Sequence, residues 1–403
     1  MTDKLRVWYA RYTAQPSDKH IGVLDGVRAL AVFIVAWYHI WQQSWLRPSL
    51  FIGDTLIINL DGIIRAGYYF VDVMILLSGF LLFLPYARSI ISEGRNPKLS
   101  TYYIKRAARI LPSYWLSIVV FLIIALAQGL YSSPSSLALD LGAHLTFTQT
   151  LFRQSYVYTN LNGVLWTVGV EAQMYLLFPL FAAAFRKKPL VTYFSMVGVA
   201  FLFRYLVGAY VADTTTYINQ LPAFLDVYAN GMALALIYAS MCRRIKADKP
   251  VRIFFTVVAA MAMLLLVGLI NYQARMGSME AIRLGMMRGR FTLSVYAGAL
   301  MVSLAFSAGF IRFLFSNKLM VFFSAVSYNV YIWHQSLSVW LKKSGLIPSA
   351  FAEPNVEGDL AWQVPFTWLS FALALLAGII VTYALEKPVC RAVSRRLERM
   401  KTE

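Results

Sequence analysis

A chain of 403 residues that is 59% hydrophobic and only 14% charged, with mean hydropathy +0.60, does not have the composition of an ordinary soluble globular protein. Its net charge of +18, from 37 Lys and Arg against 19 Asp and Glu, reads as membrane topology and not as a nucleic-acid surface. Cys242 and Cys390 are its two cysteines. Both fall at expected cytoplasmic helix ends, so neither a disulfide framework nor a thiol nucleophile is expected.

Apolar runs of about 20 residues span a hydrocarbon core of ~30 Å. Ten are visible, at 27–46, 66–86, 110–130, 166–185, 190–210, 222–241, 251–270, 291–309, 319–341 and 365–385. The fold class expected is therefore an all-α integral membrane protein of about ten transmembrane helices. Placing both termini in the cytoplasm puts 26 Lys and Arg on that side and 8 outside, as the positive-inside rule requires. One loop dissents: 271–290 carries Arg275, Arg283, Arg288 and Arg290 on the expected outer face. Either it binds an acidic polymer or lipid headgroups, or a span is drawn wrongly. The chain divides into an N-terminal segment over 1–26 without an evident removable signal peptide, a membrane domain over 27–386 and a basic tail over 387–403. No internal repeat of the inverted-transporter kind is visible.

The first span, LDGVRALAVFIVAWYHIW, places Arg28 and His39 eleven residues apart. Eleven steps of ~100° bring both side chains to one stripe of the helix, ~16 Å apart along its axis. A charge at the bilayer centre costs on the order of 3 kcal/mol on insertion scales, so this pair points to function. The bland reading of His39 is a buried histidine satisfied by a neighbouring helix. In the second span Asp72 is a partner for a histidine or an arginine, or else orders a helix end. Ser78 and Gly79, which follow, read as a close-packing point.

Before the third span Lys105, Arg106 and Arg109 cluster on one helical turn. Arginine forks match phosphate oxygens two at a time, so this turn suits a diphosphate or 3′-phosphate at the cytoplasmic mouth. Ordinary positive-inside decoration is the competing account. Glu171, one and a half turns into the fourth span, is expected in the outer half, nearer in depth to His39 or Arg65 than to Arg106. Tyr328, Tyr331 and His334 in the ninth span read first as an interfacial aromatic belt.

Six of these segments, in order, resemble the membrane-bound acyltransferase-3 family. LDGVRALAVFIVAWYH is similar to its opening Asp-Gly-x-Arg-Ala and arginine-x10-histidine, and VDVMILLSGFLL to its Ser-Gly-Phe-Leu run. KRAARILPSYWL carries the Arg-x-x-Arg pair, LWTVGVEAQMYLLFPL the Val-Glu signature, and SYNVYIWHQSL and TYALEKPVCR the closing motifs. Ala172 stands where a second glutamate is common, and Gln335–Ser336 replaces Trp-Pro. These departures read as tuning of packing or acceptor specificity.

The resemblance implies O-acylation of an extracytoplasmic polysaccharide or lipid-linked sugar from cytoplasmic acyl-CoA, acetyl-CoA first, at a bacterial cytoplasmic membrane, with no metal. His39 would be the general base, with Glu171 and Asp72 as further catalytic candidates. Arg28, Lys105, Arg106 and Arg109 would hold the donor, its arm running past Ala31 and Ala36. A covalent acyl-histidine stays open as a variant. Many members carry a fused extracytoplasmic domain that completes transfer. None is visible in this sequence, so either the bundle transfers directly or a separate extracytoplasmic transferase is its partner. A proton-coupled glycan exporter is the rival class, against which the one-sided arginine cluster and the lack of repeats both count.

Overall fold

The computed structural model describes residues 14–17, 20–52, 56–92, 94 and 98–402. Residues 1–13, 18 and 19 of the N-terminal segment thus lie outside the described residues. Among those described, ten helices are long and apolar enough to cross a membrane. They are built on α1 (Val23–Ser44), α2 (Phe70–Ile91), α3 (Leu99–Ala127), α4 (Trp166–Lys187), α5 (Pro189–Tyr210) and α6 (Leu225–Arg244). The set continues with α7 (Lys249–Ala274), α8 (Met279–Phe306), α9 (Lys318–Ser344) and α10 (Leu360–Val381). A π-helical turn over Thr382–Glu386 joins α10 to α11 (Lys387–Thr402). Among the described residues the one sheet is a hairpin, β1 (Ser49–Ile52) paired antiparallel with β2 (Leu56–Asn59).

Two helices begin well before the apolar runs that announce them. α3 starts at Leu99, so Lys105, Arg106 and Arg109 are one face of a helix and not its lead-in. α8 starts at Met279, where the Ser278 side chain caps the first turn by accepting from the Ala281 amide. The basic segment 271–290 is therefore mostly helix, and the eighth span begins at Met279, ahead of the apolar run drawn from 291.

α1 lies against α9 and α2, and α2 lies against α6, forming the centre of the bundle. α5 and α7 stand outside and expose Phe194, Leu202, Phe254 and Leu264, as lipid-facing helices do. Glycine sets the α2–α6 distance. A Cβ on Gly79 would come 2.6 Å from the Tyr228 carbonyl oxygen, and one on Gly231 2.4 Å from that of Leu76. The Ser-Gly run is a close-packing point, as its sequence suggested. Gly231→Val should force these helices apart and lower stability by about 1–3 kcal/mol. Thermal unfolding in detergent checks this, and a wild-type melting curve would refute it.

Candidate active site

Five helices and the terminal segment converge on a cavity of about 420 Å³ at the end of the bundle where α1 and α3 begin. α1 supplies Arg28, α3 supplies Lys105, Arg106 and Arg109, α2 supplies Ser78, α4 supplies Glu171 and Tyr175, and α9 supplies Tyr328. Sequence neighbours on α3 are held apart by different supports. Arg106 lies over the Tyr175 ring, 5.8 Å from its centroid, and Arg109 over Tyr328 at 5.9 Å. Arg109 is ion-paired with Glu386, whose other oxygen accepts from Asn329 at 2.7 Å. The π turn aims Glu386 inward, and Asn329 also donates to Thr382 in that turn.

Glu171 faces this cavity and not His39. Its Oε1 accepts from the Ser78 hydroxyl at 2.9 Å and from the Tyr175 hydroxyl. The reason lies in the chain just before α4. Leu161, Asn162, Val164 and Leu165 are buried outside long helix, and Asn162 donates to the Ser117 hydroxyl and to the Ile332 carbonyl at 2.7 Å. Irregular backbone at depth survives where protein satisfies it. α4 therefore begins inside the bundle, and Glu171 is carried toward the arginines. With four cationic side chains against Glu171 and the paired Glu386, the cavity is net positive.

His39 sits toward the other end of α1, separated from the cavity. The cavity lining on α1 ends at Val32, and Val35 and Ala36 beyond it are fully buried. The expected passage beside Ala31 and Ala36 is closed in this conformation. Around His39, Gln42 donates from Nε2 to the Tyr38 hydroxyl at 2.9 Å and presents Oε1 to Nδ1 of His39 at 3.0 Å. Nδ1 therefore carries a proton and leaves the Nε2 lone pair available in the neutral ring. The ring of His334 lies 5.1 Å away, centroid to centroid.

Asp72 belongs to a third place. It is absent from the cavity lining, and its carboxylate lies 3.4 Å from Nε of Arg290 on α8. Of the partners open to it, an arginine is the one it takes. Arg290 is fully buried, donates to Asn219 at 2.9 Å and packs 3.8 Å from the Phe224 ring centroid. Beside it, Arg204 on α5 is ion-paired with Asp226 on α6. Arg283 is paired too, with Glu280 and Asp213. The Asp213 carboxyl, in the connection after α5, is held well below the usual range by the Thr215 hydroxyl and by Arg153.

A family model described as an acyltransferase domain matches residues 21–387. The chain belongs to the acyltransferase-3 family. This acyltransferase-3 protein is 22% identical to the peptidoglycan O-acetyltransferase OatA of Listeria monocytogenes, over 80% of its own length and 50% of the relative's. It is 23% identical to a "Putative O-acetyltransferase" of Staphylococcus aureus, over 80% and 51%. A "Putative acetyltransferase" of Acidianus two-tailed virus is 22% identical over 82% of this chain and 86% of its own. The chain spans about half the length of the bacterial relatives it matches. No solved structure matches it.

Within this member of the family, sequence reasoning placed the arginines together and missed what holds them. Tyr175, Tyr328, Asn329 and Glu386 are contributed by three other elements. The Glu-x-Pro motif was the one visible signal for Glu386, and nothing in it indicated Arg109 as the partner.

Proposed function

We propose that this protein is an integral membrane O-acyltransferase of a bacterial cytoplasmic membrane, with the arginine end inside. It moves an acyl group, acetyl first, from cytoplasmic acyl-CoA to a hydroxyl of an extracytoplasmic polysaccharide or lipid-linked sugar. The observation that carries this reading is the net-positive cavity at the root of the helix that bears His39. Arg106 and Arg109 present guanidinium forks suited to the donor's phosphates. Arg28 stands at the inner wall, in line with His39 on the same helical stripe.

Seven helical steps lead from Val32 to His39, about 10 Å of helix rise. The uncharged arm of the donor covers that interval when the packing around Val35 and Ala36 opens. At its end the acceptor hydroxyl gives its proton to Nε2 of His39 as its oxygen attacks the thioester carbon. The carbon–sulfur bond breaks, and the thiolate takes the proton from His39 to leave as coenzyme A. Glu171, with Ser78 and Tyr175, fixes the wall beside Arg106, which lies over the Tyr175 ring.

Coenzyme A at 100 times its dissociation constant should stabilise the purified wild type by about 2.7 kcal/mol. The Arg106→Ala/Arg109→Ala variant should show little of that shift at the same concentration. Thermal unfolding with and without coenzyme A measures both. Equal shifts in the two proteins would remove the phosphate-site assignment, and no shift in either would remove the acyl-CoA donor.

A further inference from the structure

His334 stands on α9 with its ring tilted 51° to that of His39 and their centroids 5.1 Å apart. It is 0% exposed. Its Nδ1 lies 2.6 Å from the Tyr331 carbonyl oxygen, which can only accept, so Nδ1 carries the proton and Nε2 holds a lone pair. That Nε2 is buried and has no hydrogen-bond partner among the described residues. Buried polar atoms are nearly always paired, and one that is not calls for an explanation in function or ligand. On His39, likewise, Nδ1 is committed to Gln42, which leaves Nε2 for chemistry. Two imidazoles thus share one locked tautomer, each with its reactive nitrogen unprotonated.

We propose that His334 is the positioning residue of the transfer, the acceptor for the N–H that His39 gains when it deprotonates the substrate hydroxyl. This rests on the acyl-transfer reading above and adds a member to its site. As the new oxygen–carbon bond forms, the hydroxyl proton moves to Nε2 of His39 and makes an imidazolium with N–H on both nitrogens. Gln42 already meets Nδ1–H. Nε2–H then faces the newly bonded oxygen and the departing sulfur, and a second acceptor beside it steadies the buried cation through the transfer. The two rings are not hydrogen-bonded at rest, where Nε2 of His334 has no partner among the described residues; with centroids 5.1 Å apart, a small turn of either ring brings the Nε2–H of His39 to it. The Nε2 lone pair of His334 meets the proton there, and the proton then leaves with the thiolate sulfur as the carbon–sulfur bond breaks. No proton or electron is left over, and His334 ends as it began.

The test uses the full chain in proteoliposomes, with acetyl-CoA as donor and a soluble peptidoglycan disaccharide fragment as acceptor probe. His334→Ala should lower kcat roughly 100-fold with the KM for acetyl-CoA unchanged. His334→Gln, which restores an acceptor atom, should recover roughly tenfold of that loss. The His39→Ala/His334→Ala double variant should be no slower than His39→Ala alone, because the two groups act as a unit. Wild-type turnover in His334→Ala, or full additivity in the double variant, would overturn the proposal. A second readout does not depend on turnover: 15N-histidine labelling reports four imidazoles, assigned by the variants. His334 should show an unprotonated Nε2 and a protonated Nδ1, and the reverse tautomer would overturn its role. If the wild type moves no acetyl group, it is the acyl-transfer reading that falls, and the spectra alone then decide the tautomer of His334.

Discussion

His39→Ala should reduce acyl transfer by two to four orders of magnitude, the usual contribution of a positioned general base, without weakening coenzyme A binding. The expectation follows from the separation of the two halves of the site. The arginine cavity is lined on α1 by Arg28 and Val32, and His39 lies about two helical turns further on. Its ring touches His334 and its Nδ1 bonds Gln42, so removing it leaves every support of the arginines in place. Initial rates in proteoliposomes should collapse while the coenzyme A thermal shift stays that of the wild type. Loss of both would mean that His39 holds the fold of α1 and does no chemistry. Retention of both would remove it from the mechanism.

What could be read from the sequence was what lies within one helix. Ten spans announce themselves because some 20 apolar residues in a row have few alternatives to crossing a bilayer. Arg28 and His39 share a stripe of α1, and Arg106 and Arg109 a turn of α3, by helical period alone. The starts of α3 and α8 were lost because their first turns are polar and carry the very charges that mark a loop in a hydropathy reading. Ser278 was the available signal at α8, a capping residue ahead of the helix. Pairings between helices were not legible. Arg109 meets Glu386 across 277 positions, and nothing local at Asp72 specifies Arg290. Glu171 was placed at the wrong depth for a tertiary reason, the buried non-helical segment that lets α4 begin inside the bundle. A count of residues from the end of an apolar run assumes that the helix starts at the membrane surface, and here it does not.

Arg290→Met should be the most destabilising single change in the bundle, costing about 3–5 kcal/mol, the usual result of removing one partner from a buried ion pair. The substitution roughly keeps the length of the side chain and removes its charge. It would strand the Asp72 carboxylate, 2% exposed, and take the donors away from Asn219 and from the Ile218 carbonyl. It would also remove the guanidinium from the face of Phe224. Arg204 does not rescue Asp72, because its guanidinium is already engaged with Asp226 and the Ala223 carbonyl. The double variant Asp72→Leu/Arg290→Met should be more stable than Arg290→Met alone, since no buried charge is then left unpaired. That ordering separates an ion pair from a simple packing defect, which would add with the second substitution. Thermal unfolding of the two variants in detergent decides it. A double variant less stable than the single one would mean that Arg290 supports the bundle through the Phe224 and Asn219 contacts, with its charge on Asp72 of little consequence.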